Sequence, residues 1–178
     1  MTASSMEDQI RRLADVRAVR EALFRYCRLV DSRDPAAIAA QAFAPDAVDD
    51  HGIYGTTFRG REQIEAMFTR SNRTTDSSAH FISDSEIHVE GDTAFARTYV
   101  AGWTWVWASA DRGAVRPADW VFTGVYVDRL ERTDESWLIS ERLVEPLGPG
   151  ATGYGARPGA YDKQVDPAQD PHTTTGAS

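Results

Sequence analysis

A chain of 178 residues, 42% hydrophobic and 10% aromatic, is long enough for one domain with one sizeable core and too ordinary in composition to be disordered or collagen-like. Its formal net charge of −8 argues against a phosphate-backbone partner, because nucleic-acid binders carry a basic face and this sequence has none. The start, MTASSMEDQIRR, lacks the apolar region of a signal peptide, no stretch reads as a membrane span, and the single Cys27 has nothing in the chain to pair with, so a cytoplasmic location is expected.

From Met6 to Val30 the apolar positions Ile10, Leu13, Val16, Val19, Leu23, Cys27 and Val30 recur every three or four residues, which predicts one long amphipathic helix ending near Ser32. Asp34 before Pro35 is an N-cap and first-turn signal for a short second helix through about Phe43. Residues Ala47 to Thr57 read as two short strands meeting around Gly52 and Gly55. After Gly60, the stripe of Ile64, Met67 and Phe68 predicts a third helix from Arg61 to about Ser71. The period then changes. His80–Val89, Thr93–Ala108, Asp119–Arg132 and Ser136–Pro146 are rich in β-branched and aromatic residues and predict four long antiparallel strands, with a polar rim loop from Ser109 to Pro117.

Helices followed by a long-stranded sheet is the order of an α+β fold, with three N-terminal helices on one face of an antiparallel sheet. On the strand after Asp92, however, Phe95, Tyr99, Trp103, Trp105 and Trp107 share one parity and Val100 and Val106 take the other. A sheet covered on one side only should not be apolar on both. The outer face is therefore expected to form a homodimer or homotrimer interface, unless the C-terminal tail covers it. The domain is read as residues 1–147 and the tail as 148–178, rich in Gly and Pro and without periodicity, either disordered or folded back as a lid through Tyr154 and Tyr161.

Four residues could carry chemistry. Asp31 sits in the last turn of the first helix, where the helix dipole disfavours a carboxylate, so it is either a solvated helix end or a group with a partner. His80 starts the first long strand. Strict alternation with Ile87 and Val89 turns it outward, and a bulge between them would re-aim it inward. Arg142 falls on a stripe with Leu138, Ser140 and Val144, so it lies at the rim or is paired inside. Tyr26, five residues before Asp31, either reaches the same cavity or packs in the core. Asp49, Asp50 and His51 read as edge and turn polarity. No metal-ligand spacing, phosphate loop, nucleophile elbow or paired-cysteine motif is present, so no cofactor is expected.

The segments RYCRLVDSRD, AFAPDAV, FRGREQIEAMF, SSAHFI, IHVEGDTAFARTYV and YVDRLERTDESWLISER, in this order over about Asp8 to Leu147, resemble the SnoaL-like branch of the nuclear transport factor two-like superfamily. That superfamily also contains scytalone dehydratase, bile-acid 7α-dehydratase and hexachlorocyclohexane dehydrochlorinase. The resemblance implies a cystatin-like α+β cone, its helices on a strongly curved sheet around an apolar pocket. It also implies an Asp-His dyad at Asp31 and His80, with Arg142 and Tyr26 beside it stabilising developing charge. The implied activity is a cofactor-independent, dehydratase-type elimination on a small hydrophobic, possibly polycyclic substrate. An isomerase or polyketide cyclase would use the same dyad, and the fold also serves non-catalytic binding or assembly domains.

Overall fold

The computed structural model describes residues 5–51, 56–106, 117–134 and 136–147. Gly52, Gly55, Trp107, nearly all of the expected rim loop and the tail from residue 148, with Tyr154 and Tyr161, lie outside the described residues.

Helix α1 spans Met6–Ser32. Ser5 caps it: the Asp8 N–H donates to Ser5 Oγ at 3.1 Å while the Ser5 N–H donates back to Asp8 Oδ2 at 3.3 Å, so two otherwise orphaned donors are satisfied together. Only the second half of the expected stripe is buried, at Val19, Ala22, Leu23, Tyr26 and Cys27. At about 1.5 Å per residue the helix outruns the core, which leaves Met6, Ile10 and Leu13 exposed. Arg33 ends the helix in the left-handed region at φ 61°. That conformation costs about 1–2 kcal/mol for a residue with a Cβ. It is held by the Arg33 side chain, which donates to the carbonyls of Asn72 (2.9 Å) and Thr75, and by the Asn72 amide, which donates to the Arg33 carbonyl at 3.1 Å.

Asp34 accepts from the Ala37 N–H at 3.0 Å to start α2, Pro35–Ala42. The helix ends one residue before the expected Phe43, and the first strand begins there, four residues before the expected Ala47. β1 runs Phe43–Asp50 and β2 Thr57–Arg59, followed by α3 (Gly60–Thr74), β3 (Thr75–Glu90), β4 (Thr93–Val106), β5 (Trp120–Arg132) and β6 (Trp137–Pro146).

The six strands form one curved sheet in the order β2-β1-β6-β5-β4-β3, an α+β cone with the helices in its concave side. The expectation of a wholly antiparallel sheet is corrected at one place: β1 lies parallel to β6. No turn joins these two strands, so their relative direction is set by where α2 delivers the chain rather than by a hairpin. On β4 the even positions Ala94, Ala96, Thr98, Val100 and Thr104 are buried under the helices. The odd positions Phe95 and Tyr99 are exposed on the outer face, as are Phe81 of β3 and Leu143 of β6.

Candidate active site

Asp31 and His80 meet inside the cone. Asp31 Oδ1 accepts from the His80 ring at Nδ1, 2.7 Å away, and from the Ser78 hydroxyl at 3.2 Å, while Oδ2 accepts the His80 backbone N–H at 3.0 Å. Three donors offset the unfavourable position of this carboxylate at a helix C-terminus. His80 faces inward because β3 carries a bulge: Ile82 pairs with Val100 but Ser85 with Thr98, three steps on one strand against two on the other. Both His80 and Ile87 thereby take the concave face, which unbroken alternation forbids. His80 lies opposite Gly102, where an added Cβ would stand 3.2 Å from Cδ2 and 3.3 Å from Nε2. With Nδ1 bound to Asp31, Nε2 is the nitrogen left for the cavity.

That cavity has a volume of about 70 Å³. Its apolar wall is Tyr26, Phe68, Trp120, Phe122, Tyr126 and Val144; its polar wall is His51, Ser71, Asn72, Ser78, His80 and Thr104. Tyr26 is buried, and burial raises its phenol well above the usual tyrosine range against the pull of Arg142, so the hydroxyl stays protonated at neutral pH. Among the described residues no group of three or more His, Cys, Asp or Glu side chains is arranged to hold a metal ion, and no helix is long and apolar enough to cross a membrane.

Arg142 is inside the protein but is not part of the cavity wall. Its Nε and Nη2 donate to the two oxygens of Asp128 at 2.7 and 2.9 Å, and its guanidinium lies 3.9 and 4.0 Å from the ring centroids of Tyr26 and Tyr126, which meet edge-on. Burial works against the guanidinium charge, but the Asp128 carboxylate outweighs it and holds Arg142 well above its ordinary value. The stripe expected on β6 is also corrected. Leu130 pairs with Ile139 and Arg129 with Glu141, so Ser140 is the extra residue of a bulge. Trp137 and Ile139, not Leu138 and Ser140, share the buried face with Arg142 and Val144.

The reading of Asp49 and His51 as edge polarity is overturned. Asp49 is wholly buried and His51 is 6% exposed. His51 Nε2 stands 3.2 Å from Asp49 Oδ2, and its ring meets Phe58 edge-on at 6.1 Å. Asp49 is the register partner of Arg142 and lies near enough to push the Asp128 carboxyl upward, although burial is the larger cause of that rise. The sequence did hold a signal: Ala47, Asp49 and His51 are spaced by two, so on a strand all three share the buried face.

A cone whose helices and curved sheet enclose a cavity with two His-Asp pairs defines a class of small-molecule-pocket protein. Residues 11–143 match the SnoaL-like domain, and the chain belongs to the SnoaL-like family. No curated protein matches it by sequence. Among solved structures it is similar to a Novosphingobium aromaticivorans protein assigned as an aromatic ring hydroxylase, with 26% identity and a TM-score of 0.68 over 79% of this chain and 94% of that one. A second protein from that organism, assigned as a scytalone dehydratase, gives 21% identity and a TM-score of 0.68 over 83% and 92%. A type 2 hexachlorocyclohexane dehydrochlorinase gives 19% and 0.62 over 85% and 99%.

Proposed function

We propose that this chain is a cofactor-independent lyase of the dehydratase type, acting on a small hydrophobic substrate with His80 as general base. The observation that supports it most is the 2.7 Å bond from the His80 ring to Asp31, which leaves Nε2 as the nitrogen for a cavity with an aromatic wall. Asp31 accepting from Nδ1–H fixes the tautomer that puts a lone pair on Nε2 and stabilises the imidazolium formed when that nitrogen takes a proton from carbon. The carbon must be made acidic by a neighbouring carbonyl. Tyr26, a protonated phenol in the same wall, is the donor this reading assigns to the oxyanion that develops there. Arg142 has no such part, because its charge is already neutralised by Asp128. A dry cavity of roughly 150 Å³ takes one benzene ring. The 70 Å³ here is smaller, so the substrate is a compact ring that also occupies the mouth.

Isomerisation and cyclisation begin with the same proton abstraction. Elimination is favoured by the likeness to proteins named as a dehydratase and a dehydrochlorinase. A β-(para-nitrophenoxy) ketone tests the reading, since loss of its α-proton releases a coloured phenolate. The wild-type protein should accelerate that release and His80→Ala, checked to be folded, should abolish the acceleration. Turnover that survives the substitution sinks the dyad.

A further inference from the structure

Elimination of a poor leaving group needs two proton-handling groups, one to take the proton from carbon and one to protonate the departing oxygen. Asp31 and His80 supply the first. The second is absent from the residues assigned so far, since Arg142 is bound to Asp128 and the Tyr26 phenol is held far too weakly acidic by burial to give up its proton readily. Resting on the reading of His80 as base, we infer that His51, held by Asp49, is a second catalytic residue and the general acid of the reaction.

His51 lines the same cavity as His80. The two histidines come from opposite regions of the sheet: His51 from the end of β1, His80 from β3, with β6, β5 and β4 between those strands, and the curvature of the cone brings both to one space. A substrate in that space therefore meets both imidazoles. The backbone fixes His51, whose N–H donates to the Thr56 carbonyl at 3.0 Å, and Asp49 holds its ring by Nε2 at 3.2 Å.

Charge explains why a carboxylate is tolerated there. Asp49, Asp128 and Arg142 are all buried, and together they carry one negative charge more than positive. Asp49 Oδ1 is buried with no hydrogen-bond partner, so hydrogen bonds leave that excess only partly compensated. The cluster thus sets a buried carboxylate against the His51 ring, and Asp49 is its positioning residue.

The step balances. The C–H electron pair becomes the new C=C bond and the C–O pair leaves on oxygen. His80 Nε2 takes the proton from carbon and His51 gives its own to oxygen, so a neutral alcohol or water departs. A proton then passes from His80 to His51 through solvent and restores both.

Two β-aryloxy ketones that differ in their leaving group test the inference. Para-nitrophenoxide leaves without a proton, whereas phenoxide is far more basic and needs one. For His51→Asn the rate with the phenoxy ketone should fall on the order of 10²–10⁴-fold while the nitrophenoxy ketone loses less than about threefold. Asp49→Asn should show the same asymmetry in weaker form and replaces His51→Asn if that variant fails to fold. If neither folds, the wild type alone decides, because an acid in place makes its rate nearly independent of the leaving group. An equal loss on both ketones, no loss on either, or a wild-type rate as steeply dependent on the leaving group as the hydroxide reaction overturns the role of His51 and leaves the base intact. A wild-type protein inert toward both ketones, or a His80→Ala variant that keeps its activity, overturns the base and the acid together.

Discussion

Asp31 Oδ1 and His80 Nδ1 stand 2.7 Å apart across 49 residues of sequence, and the same carboxylate also receives the backbone N–H of the residue whose ring it holds. One side chain thus sets both the position of the β3 backbone and the tautomer of the imidazole. Asp31→Asn keeps the size of the group and removes its charge, so the imidazolium loses its counter-ion. The turnover number for the nitrophenoxy ketone should fall about 10²–10⁴-fold. Stability should change by only about 1 kcal/mol, because weaker hydrogen bonds are offset by relief from the helix dipole. Kinetics paired with urea unfolding measure both, and an unchanged turnover number removes Asp31 from the reaction.

Gly102 supplies the space in which the His80 ring sits. A Cβ there would come 3.2–3.3 Å from the ring, tighter than ordinary contact, while the Gly102 backbone is one that alanine also adopts. Gly102→Ala should therefore fold normally and displace the imidazole by a few tenths of an ångström. Since a 1 Å misplacement of a reacting group costs on the order of 10²-fold, a loss of roughly tenfold in kcat is expected. Wild-type kcat in a folded variant means that the ring orientation carries no catalytic weight.

The long elements were legible in the sequence because their periods were unbroken: the extent of α1 with the second half of its stripe, the Asp34-Pro35 start of α2 and the alternation of β4 each predict what the structure shows. Two of the departures share one cause, in that a bulge changes which parity faces the core and period counting cannot locate it. Ser140 on β6 moved the buried stripe to Trp137 and Ile139, and the residues between Ile82 and Ser85 turned His80 inward. Asp49 and His51 were misjudged for another reason. A polar run near glycines reads as a turn, and only the cluster around Arg142 shows why a buried carboxylate is tolerated there.

Arg142 tests structure against catalysis. Arg142→Met leaves Asp128 buried without its partner and should cost about 3–5 kcal/mol in chemical denaturation. Arg142→Met combined with Asp128→Leu should recover most of that loss, because removing both charges leaves no uncompensated ion. A single variant of wild-type stability that has lost turnover would restore Arg142 to the reaction.

The exposed face of the sheet carries Phe81, Phe95, Tyr99 and Leu143, with Phe81 edge-on to Trp103 at 5.1 Å. Apolar groups gathered on one outer face are the kind of patch that subunit contacts cover. The expected outcome in sedimentation velocity is a dimer or trimer for the wild type and a monomer for Phe81→Asp combined with Tyr99→Asp. A wild-type chain that sediments as a monomer at micromolar concentration ends this reading.

Cys27 gives a pH dependence whose sign follows from its burial. Burial raises the thiol from 9.0 to about 12, opposed chiefly by Arg142. The unfolded chain then releases this proton from about pH 9 while the folded chain keeps it to about pH 12. Below pH 9 the contribution of Cys27 to stability is fully present. Above it, stability should decline by about 1.4 kcal/mol per pH unit on account of this group alone. The Tyr26 phenol, raised from 10.0 by burial, adds a second loss of the same sign beginning one unit higher. Urea unfolding of wild type and Cys27→Ala at pH 8, 9 and 10 isolates the thiol as the difference in slope. The wild type should fall more steeply between pH 9 and 10, and its thiol should resist disulfide reagents at pH 8, where the thiolate they require is almost absent from the folded state. Parallel slopes, or rapid modification of the folded wild type, contradict a thiol sealed on the buried face of α1.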